Sequence, residues 1–324
     1  MNRYQFLHVT EFHYDGAVSE SYNEVRLRPI HDDFQNVLSF RLTTHPASSV
    51  SSYRDAFGNW VHQFNILSEH RHLRVEAESI VLAHESPAPS SALKLSDLDA
   101  RRDEHLENLY DFVSPTEYAP HLPQLAEFVE DAERASGGTV WGFASAASDL
   151  IHQRFRYVKG ATHVHSSIQD SLSLGAGVCQ DFSHLLLAIV RSRGIAARYV
   201  SGYLVPQPAA DAEARLEQVV GGQASHAWAE IFLDGSGWAG LDPTLGVPVN
   251  LRHVRVACGR DYGDVAPVRG VYKGHSGQRL SVDVRVCPAL DPEGREQLSE
   301  PAARPAEPPD ASERPQQPIQ QQQQ

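Results

Sequence analysis

Leu174-Gly175-Ala176-Gly177-Val178-Cys179-Gln180-Asp181-Phe182 runs a glycine turn straight into an apolar stripe at helical spacing: Val178, Phe182, Leu185, Leu186 and Ile189, stopped by Gly194. The spacing predicts a helix from about Val178 with Cys179 in its first turn. Unsatisfied backbone N–H groups and the positive end of the helix dipole meet there, and they favour a thiolate and can hold an oxyanion. Free cysteines elsewhere are most often inert packing residues. Cys258 and Cys287, in late alternating stretches, read that way. Three cysteines are too few for a disulfide framework in 324 residues, so all three read as free thiols.

A nucleophilic cysteine needs a base and a group that orients the base. Ser225-His226-Ala227-Trp228-Ala229-Glu230 opens a strand 47 residues after Cys179, and Gly240-Leu241-Asp242-Pro243-Thr244 closes the returning strand 16 residues later. The order Cys179, His226, Asp242 places a thiol, an imidazole and a carboxylate within one helix and one hairpin of each other. Strand signals at Ala197 to Leu204, Ala227 to Leu233 and Trp238 to Leu241 frame them, with Asp234-Gly235-Ser236-Gly237 as the hairpin turn. Pairing Leu233 with Trp238 sets Asp242 opposite Ala229, three positions from His226. That register calls for a bulge or a looser turn.

Upstream, bulky side chains fill the even positions Tyr4, Phe6, His8, Thr10, Phe12 and Tyr14, a period-2 pattern that Asp15-Gly16 is expected to turn. The stretches 23–27, 38–42, 60–67 and 73–81 repeat it, so residues 1–85 read as an all-β domain. Residues 86–122 are rich in Pro, Ser and charge and read as a linker with some local helix. Stripes at Leu125, Phe128, Val129, Ala132 and at Phe143, Ala146, Ala147, Leu150, Ile151 predict two helices before the chemistry. Residues 123–287 then form the catalytic core with C-terminal strands. The last 37 residues, 288–324, hold 8 of 20 prolines and a Gln run, and read as a solvated tail.

Lys+Arg 28 against Asp+Glu 41 gives a net charge of −13, which repels polyanions and disfavours nucleic acid as a partner. No stretch approaches the ~18 apolar residues of a membrane helix, and the start lacks an apolar leader core. A cytoplasmic location without membrane contact is the expectation.

Gly177-Val178-Cys179-Gln180-Asp181-Phe182, Arg198-Tyr199-Val200-Ser201-Gly202-Tyr203, Ser225-His226-Ala227-Trp228 and Gly240-Leu241-Asp242-Pro243-Thr244 closely resemble, in order and spacing, the bacterial transglutaminase-like family. Gly259-Arg260-Asp261-Tyr262 resembles it as well. The opening domain, with Asn23-Glu24-Val25-Arg26-Leu27-Arg28-Pro29 and Phe57-Gly58-Asn59, is similar to that family's N-terminal β-module. The resemblance covers about residues 1–287. It implies an α+β fold with a papain-like core: Cys179 as nucleophile, His226 as base then acid, Asp242 as its orienter, and a thioester acyl-enzyme formed from peptide or isopeptide amides. Hydrolysis is the favoured outcome. The alternatives are protein-glutamine amine acyl transfer, small-molecule acyl transfer resembling arylamine N-acetyltransferases, and a catalytically silent binding module. Peptide or protein substrates are the expected partners, and an acidic body would attract an amine.

No cofactor or metal is expected. The sequence has no EF-hand-like loop, and His70/His72 and His163/His165 read as surface pairs rather than zinc ligands. Gly175-x-Gly177 lacks the third glycine of a dinucleotide fingerprint and reads as clearance for substrate beside Cys179. For a second oxyanion donor the candidates are Gln169, by similarity to papain-type enzymes, Trp141, by similarity to animal transglutaminases, and Tyr157. Gln180, Asp181 and His184 adjoin the nucleophile, and Glu230 reads as one half of a structural ion pair. Pro206 to Ala224 reads as a lid or as an insertion without function.

Overall fold

The computed structural model describes residues 1–85, 89, 93–100, 102–206, 225–275 and 277–288. The expected lid and tail fall, but for Pro206 and Pro288, outside them. The N-terminal strands are β1 (Asn2–Val25), β2 (Gln35–His45), β3 (Ser51–Arg54), β4 (Trp60–Ile66) and β5 (His70–Ala83). β1 does not turn at Asp15-Gly16. Its first half pairs with β5 and its second half with β4, with a register shift between His13 and Val18. Alternation resumes beyond the shift, so one long strand serves two groups of partners, and Asp15 N–H donates to Gly277 O at 2.9 Å across the bend.

The chain then enters α1 (Leu95–Ala100) and α2 (Arg102–Val113), in the stretch read as a linker with some local helix. Leu95, Leu98 and Ala119 are buried in the same core as Phe143, Phe182 and Leu186. Lys94 bridges Thr139, and Leu95 N–H and Val140 N–H close the pairing onto Gly138 O and Leu93 O. A few apolar residues in a charged stretch are enough to fasten this segment to the core.

The α+β region follows as α3 (Ala126–Ala135), α4 (Val140–Arg154), β6 (Arg156–Tyr157), α5 (Ile168–Leu174), β7 (Ala176–Gly177), α6 (Cys179–Ser192), β8 (Ala197–Leu204), β9 (Ser225–Leu233), β10 (Gly237–Asp242), β11 (Val247–Pro248) and β12 (His253–Gly259). Strands β8 to β12 form a five-stranded antiparallel sheet in the order β11-β10-β9-β8-β12. α6 lies against it, hydrophobic through most of its length, with Phe182, Leu185, Leu186 and Ile189 buried as the stripe predicts. This is the expected α+β arrangement.

After α7 (Tyr262–Val265) come β13 (Val268–Lys273) and β14 (Gln278–Pro288). Both leave the five-stranded sheet and pair with β1, where β14 runs in register from Tyr4↔Pro288 to Tyr14↔Gln278. Of the late strands expected within residues 123–287, the one at 254–258 stays in the five-stranded sheet as β12, and the one at 280–286 pairs with the N-terminal sheet as part of β14. The long β1 has an edge to cover there, and a strand edge left open invites pairing with another chain.

Polar anchors fix the two layers together. Phe6 stacks on Tyr203 at 4.6 Å, and the Gln35 and Asn59 side chains bond the backbone of Arg255 and Cys258 in β12. Among the described residues, no helix is long and apolar enough to cross a membrane.

Candidate active site

The site begins with the start of α6. Asp181 in its first turn reaches back so that Oδ2 accepts the Val178 N–H at 2.7 Å and the Thr162 hydroxyl at 2.5 Å. This ties down the helix start and leaves the Cys179 amide among the N-terminal N–H groups without an intrahelical acceptor. A side chain at Gly177 would lie 2.8 Å from Asp181 Oδ2 and 2.9 Å from its Cβ. The glycine makes room for this carboxylate, a tighter requirement than the substrate clearance expected of it. Gly175, at φ 58°, ends α5 in the left-handed conformation.

His226 and Asp242 meet across the β9–β10 hairpin. The ladder pairs Leu233 with Gly237 and Ala229 with Leu241, one residue off the expected register. Glycines at positive φ, Gly235 and Gly237, allow this shorter connection. Asp242 then continues opposite Trp228, two residues from His226 on the same strand face, and its carboxylate crosses diagonally to His226 Nε2 at 2.7 Å. No bulge is needed.

Asp242 is fully buried and its acceptor sites are filled. Oδ1 accepts the amides of Thr244 at 2.9 Å and Leu245 at 3.2 Å, and Oδ2 accepts from His226 and from His253 Nε2 at 3.1 Å. Burial alone would raise its pKa, but His226 and His253 together hold it well below the usual carboxylate range. For His226 burial likewise opposes charge. The Asp242 carboxylate and a hydrogen bond with Cys179 outweigh it and raise the imidazole to about 10. With Nε2 committed to Asp242, Nδ1 is the nitrogen left for the sulfur. The structure thus brings all three residues singled out in the sequence into one chain of hydrogen bonds.

His253 was not foreseen. It sits eleven residues beyond Asp242 in a strand whose alternation reads as ordinary packing, so only the fold reveals it.

Around this chain, Tyr157 in β6 stands opposite Gly177. Its phenol is raised by burial and then by the nearby Cys179, Asp181 and Asp242. Of the three upstream candidates it is the one placed beside Cys179. Trp141 packs on the main core, and Gln169 is exposed on α5. Gln180 ties the loop before α5 to the nucleophile helix, donating to Val164 O at 3.1 Å. His184 is sandwiched between Tyr118 and Tyr199 at 5.1 and 4.8 Å, accepts the Tyr262 amide, and is pushed by burial down to about 3. Glu230 pairs with Arg198 at 2.6 Å and with Arg255 at 3.5 Å, the structural ion pair expected of it.

Arg191 at the far end of α6 is buried and donates to the carbonyls of Phe112, Ala197 and Arg260. Gly259-Arg260-Asp261-Tyr262 therefore acts as a clasp on α6, one end on Arg191 and the other on His184.

Two described groups gather three ligand-type side chains: Glu11, His13 and His72; and His226, Asp242 and His253. In the first, His72 has left its partner in sequence, since His70 turns to Ser68 O while His72 stacks on His13 at 4.5 Å. Arg74 takes Glu11 at 2.7 Å, which sets a guanidinium where a cation would sit. In the second, direct hydrogen bonds of 2.7 and 3.1 Å already join the three side chains. His163 and His165 lie exposed on the loop before α5, with His163 Nδ1 accepting the His165 amide.

Comparison with known proteins bears on the family and the fold. The family profile of the bacterial transglutaminase-like N-terminal region matches residues 4–82, and that of the transglutaminase-like superfamily matches residues 127–243. An uncharacterised protein of Mycobacterium leprae is 33% identical over 286 residues, covering 88% of this chain and 99% of its own. One from Mycobacterium tuberculosis is 33% identical over 302 residues, covering 89% and 93%. A crystal structure from Cytophaga hutchinsonii, described as a candidate cysteine protease, shares the fold at TM-score 0.63 and 21% identity, over 90% of this chain and 93% of that one.

Proposed function

This chain belongs to the bacterial transglutaminase-like family, and we propose that it is a cysteine enzyme that opens peptide or isopeptide amides through a thioester on Cys179. The observation that carries the reading is the buried Asp242–His226 contact of 2.7 Å, with the other side of the imidazole bonded to a thiol at a helix N-terminus.

Each step follows from that chain of contacts. His226, protonated at neutral pH, sets a cation beside Cys179 and favours the thiolate. Sulfur attacks the amide carbonyl, and the oxyanion that forms lies near the free amides at the start of α6. His226 gives its proton to the leaving amine as the C–N bond breaks, leaving an acyl thioester and a neutral imidazole. Asp242 keeps its charge throughout and holds the ring. A water molecule, deprotonated by His226, then attacks the thioester and releases a carboxylic acid and the thiolate.

Hydrolysis is supported by the description of the Cytophaga hutchinsonii neighbour as a candidate protease. The second reading replaces water with a primary amine, and the net charge of −13 favours a cationic amine near the site. Mass spectrometry of a peptide library incubated with wild type and Cys179→Ala, with and without cadaverine, separates the two. Cleavage or deamidation that depends on Cys179 supports the hydrolase, and amine adducts support the transferase. Products that persist in Cys179→Ala contradict both.

A further inference from the structure

Asp242 Oδ2 accepts two imidazole N–H groups, and only one of them belongs to the acyl-transfer chain. The other, from His253, lies in the first residue of β12, beyond the segment matched by the superfamily profile. Its side chain is fully excluded from solvent. The Asn250 amide donates to His253 Nδ1 at 3.2 Å, so Nδ1 carries no proton and Nε2 must carry the one given to Asp242. Trp228 meets the ring edge-to-face at 5.2 Å and closes the remaining side. Every degree of freedom of this imidazole is set by a neighbour.

We propose that His253 is a positioning residue for the Cys179–His226–Asp242 site, a neutral, tautomer-locked donor that fixes the Asp242 carboxylate so that Oδ2 points at His226 Nε2. The inference rests on reading those three residues as the acyl-transfer site. Asp242 Oδ1 is held by two amides of its own turn, which leave rotation about the side chain weakly opposed at Oδ2. Two donors converging on one oxygen from different strands remove that freedom. They also share the carboxylate charge, so His226 faces part of it rather than all. The charged and titratable groups around the pair are Cys179 and Tyr157 on the nucleophile side and Arg252 beside His253.

The test uses the full chain. His253→Phe fills the space without a donor, and His253→Gln returns an amide N–H. With melting temperature as the control for folding, His253→Phe is expected to alkylate Cys179 with iodoacetamide about tenfold more slowly at pH 7, the loss of one hydrogen bond to a charged group. The pH midpoint of that reaction moves, turnover falls through kcat with KM unchanged, and His253→Gln restores most of both. A His253→Phe protein that reacts at the wild-type rate with an unmoved midpoint overturns the proposal, as does a folded His253→Gln no better than Phe. Should His253→Phe fail to fold, ¹⁵N-histidine NMR of the wild type decides. A neutral Nε2–H tautomer at pH 7 is expected, and a cationic or Nδ1–H ring overturns it. Failure of the underlying reading looks different: Cys179 then reacts no faster than Cys258 in the wild type itself.

Discussion

Asp242 and His226 are joined at 2.7 Å although they are not partners in the strand ladder. Asp242 follows the Leu241↔Ala229 pair, and its carboxylate reaches His226 on the diagonal. A diagonal contact depends on the register set by the Asp234–Ser236 connection, since one added residue that keeps this turn slides β10 along β9 and sets Asp242 opposite Ala227, on the strand face away from His226. Inserting a single glycine after Gly235 should leave the sheet folded and lower Cys179-dependent turnover by more than about a hundredfold, because the base loses its orienter. Circular dichroism and product mass spectrometry read the two effects separately.

Asp242→Asn keeps size and removes charge. His226 then loses the partner that outweighs its burial, so the imidazole falls from about 10 toward and below its ordinary range. Turnover should drop by about 10³ to 10⁴, the size seen when a triad carboxylate is replaced by its amide. Steady-state kinetics with a reporter amide checks it.

Stability should peak near pH 6.5. His226 is raised to about 10 in the folded chain, so its contribution is complete below the unfolded value of ~6.5 and is lost as pH climbs toward 10. His8 and His184 are lowered by burial to about 4 and about 3, so theirs is complete above ~6.5 and is lost as pH falls through those values. Asp242, held low, adds loss only in stronger acid. Urea midpoints from pH 4 to 10 should trace this dome, and His226→Gln should flatten its alkaline side.

Gly177→Ala sets a methyl 2.8 Å from Asp181 Oδ2 and displaces the carboxylate that holds the start of α6. Loss of a cap of this kind costs about 0.5–2 kcal/mol, and the nucleophile moves with it. Thermal melts should show the destabilisation, and Asp181→Ala should give a similar value. If the two losses are independent and additive in the double variant, the contact is not what couples them.

How much of this was legible in the sequence depends on whether a feature is local. Cys179 at a helix start, with its apolar stripe and glycine stop, is decided within twenty residues, and the α+β core follows from it. Cys179, His226 and Asp242 stand on separate elements, yet each lies in a short motif of its own. What escaped is non-local. β14 alternates like any strand, and nothing near Gln278 says that its partner is β1 at the other end of the chain. Asp15-Gly16 has the chemistry of a turn, but pairing on both sides of β1 carries the strand through it. Residues 86–122 are rich in Pro, Ser and charge, and the burial of Leu95 and Leu98 in the main core is set by contacts far along the chain. His253 reaches Asp242 across two intervening strands, a relationship no spacing rule encodes.

Removing residues 268–324 tests the strand exchange. That truncation spares the catalytic sheet but strips β13 and β14 from β1, opening an edge along Tyr4 to Tyr14. The truncated chain should aggregate or be cleaved by protease within β1, whereas removal of 289–324 alone should change neither. Light scattering and limited proteolysis distinguish them.

Activation by His226 should set Cys179 apart from the other two cysteines. Its most direct test is the rate of iodoacetamide alkylation at each cysteine, read by peptide mass spectrometry between pH 5 and 9 in wild type and His226→Ala. Cys179 is expected to react at least about tenfold faster than Cys258 or Cys287 at pH 6, where an unassisted thiol is almost wholly protonated, and His226→Ala to abolish the advantage. Equal labelling of the three cysteines, or a Cys179 rate indifferent to His226, would contradict it.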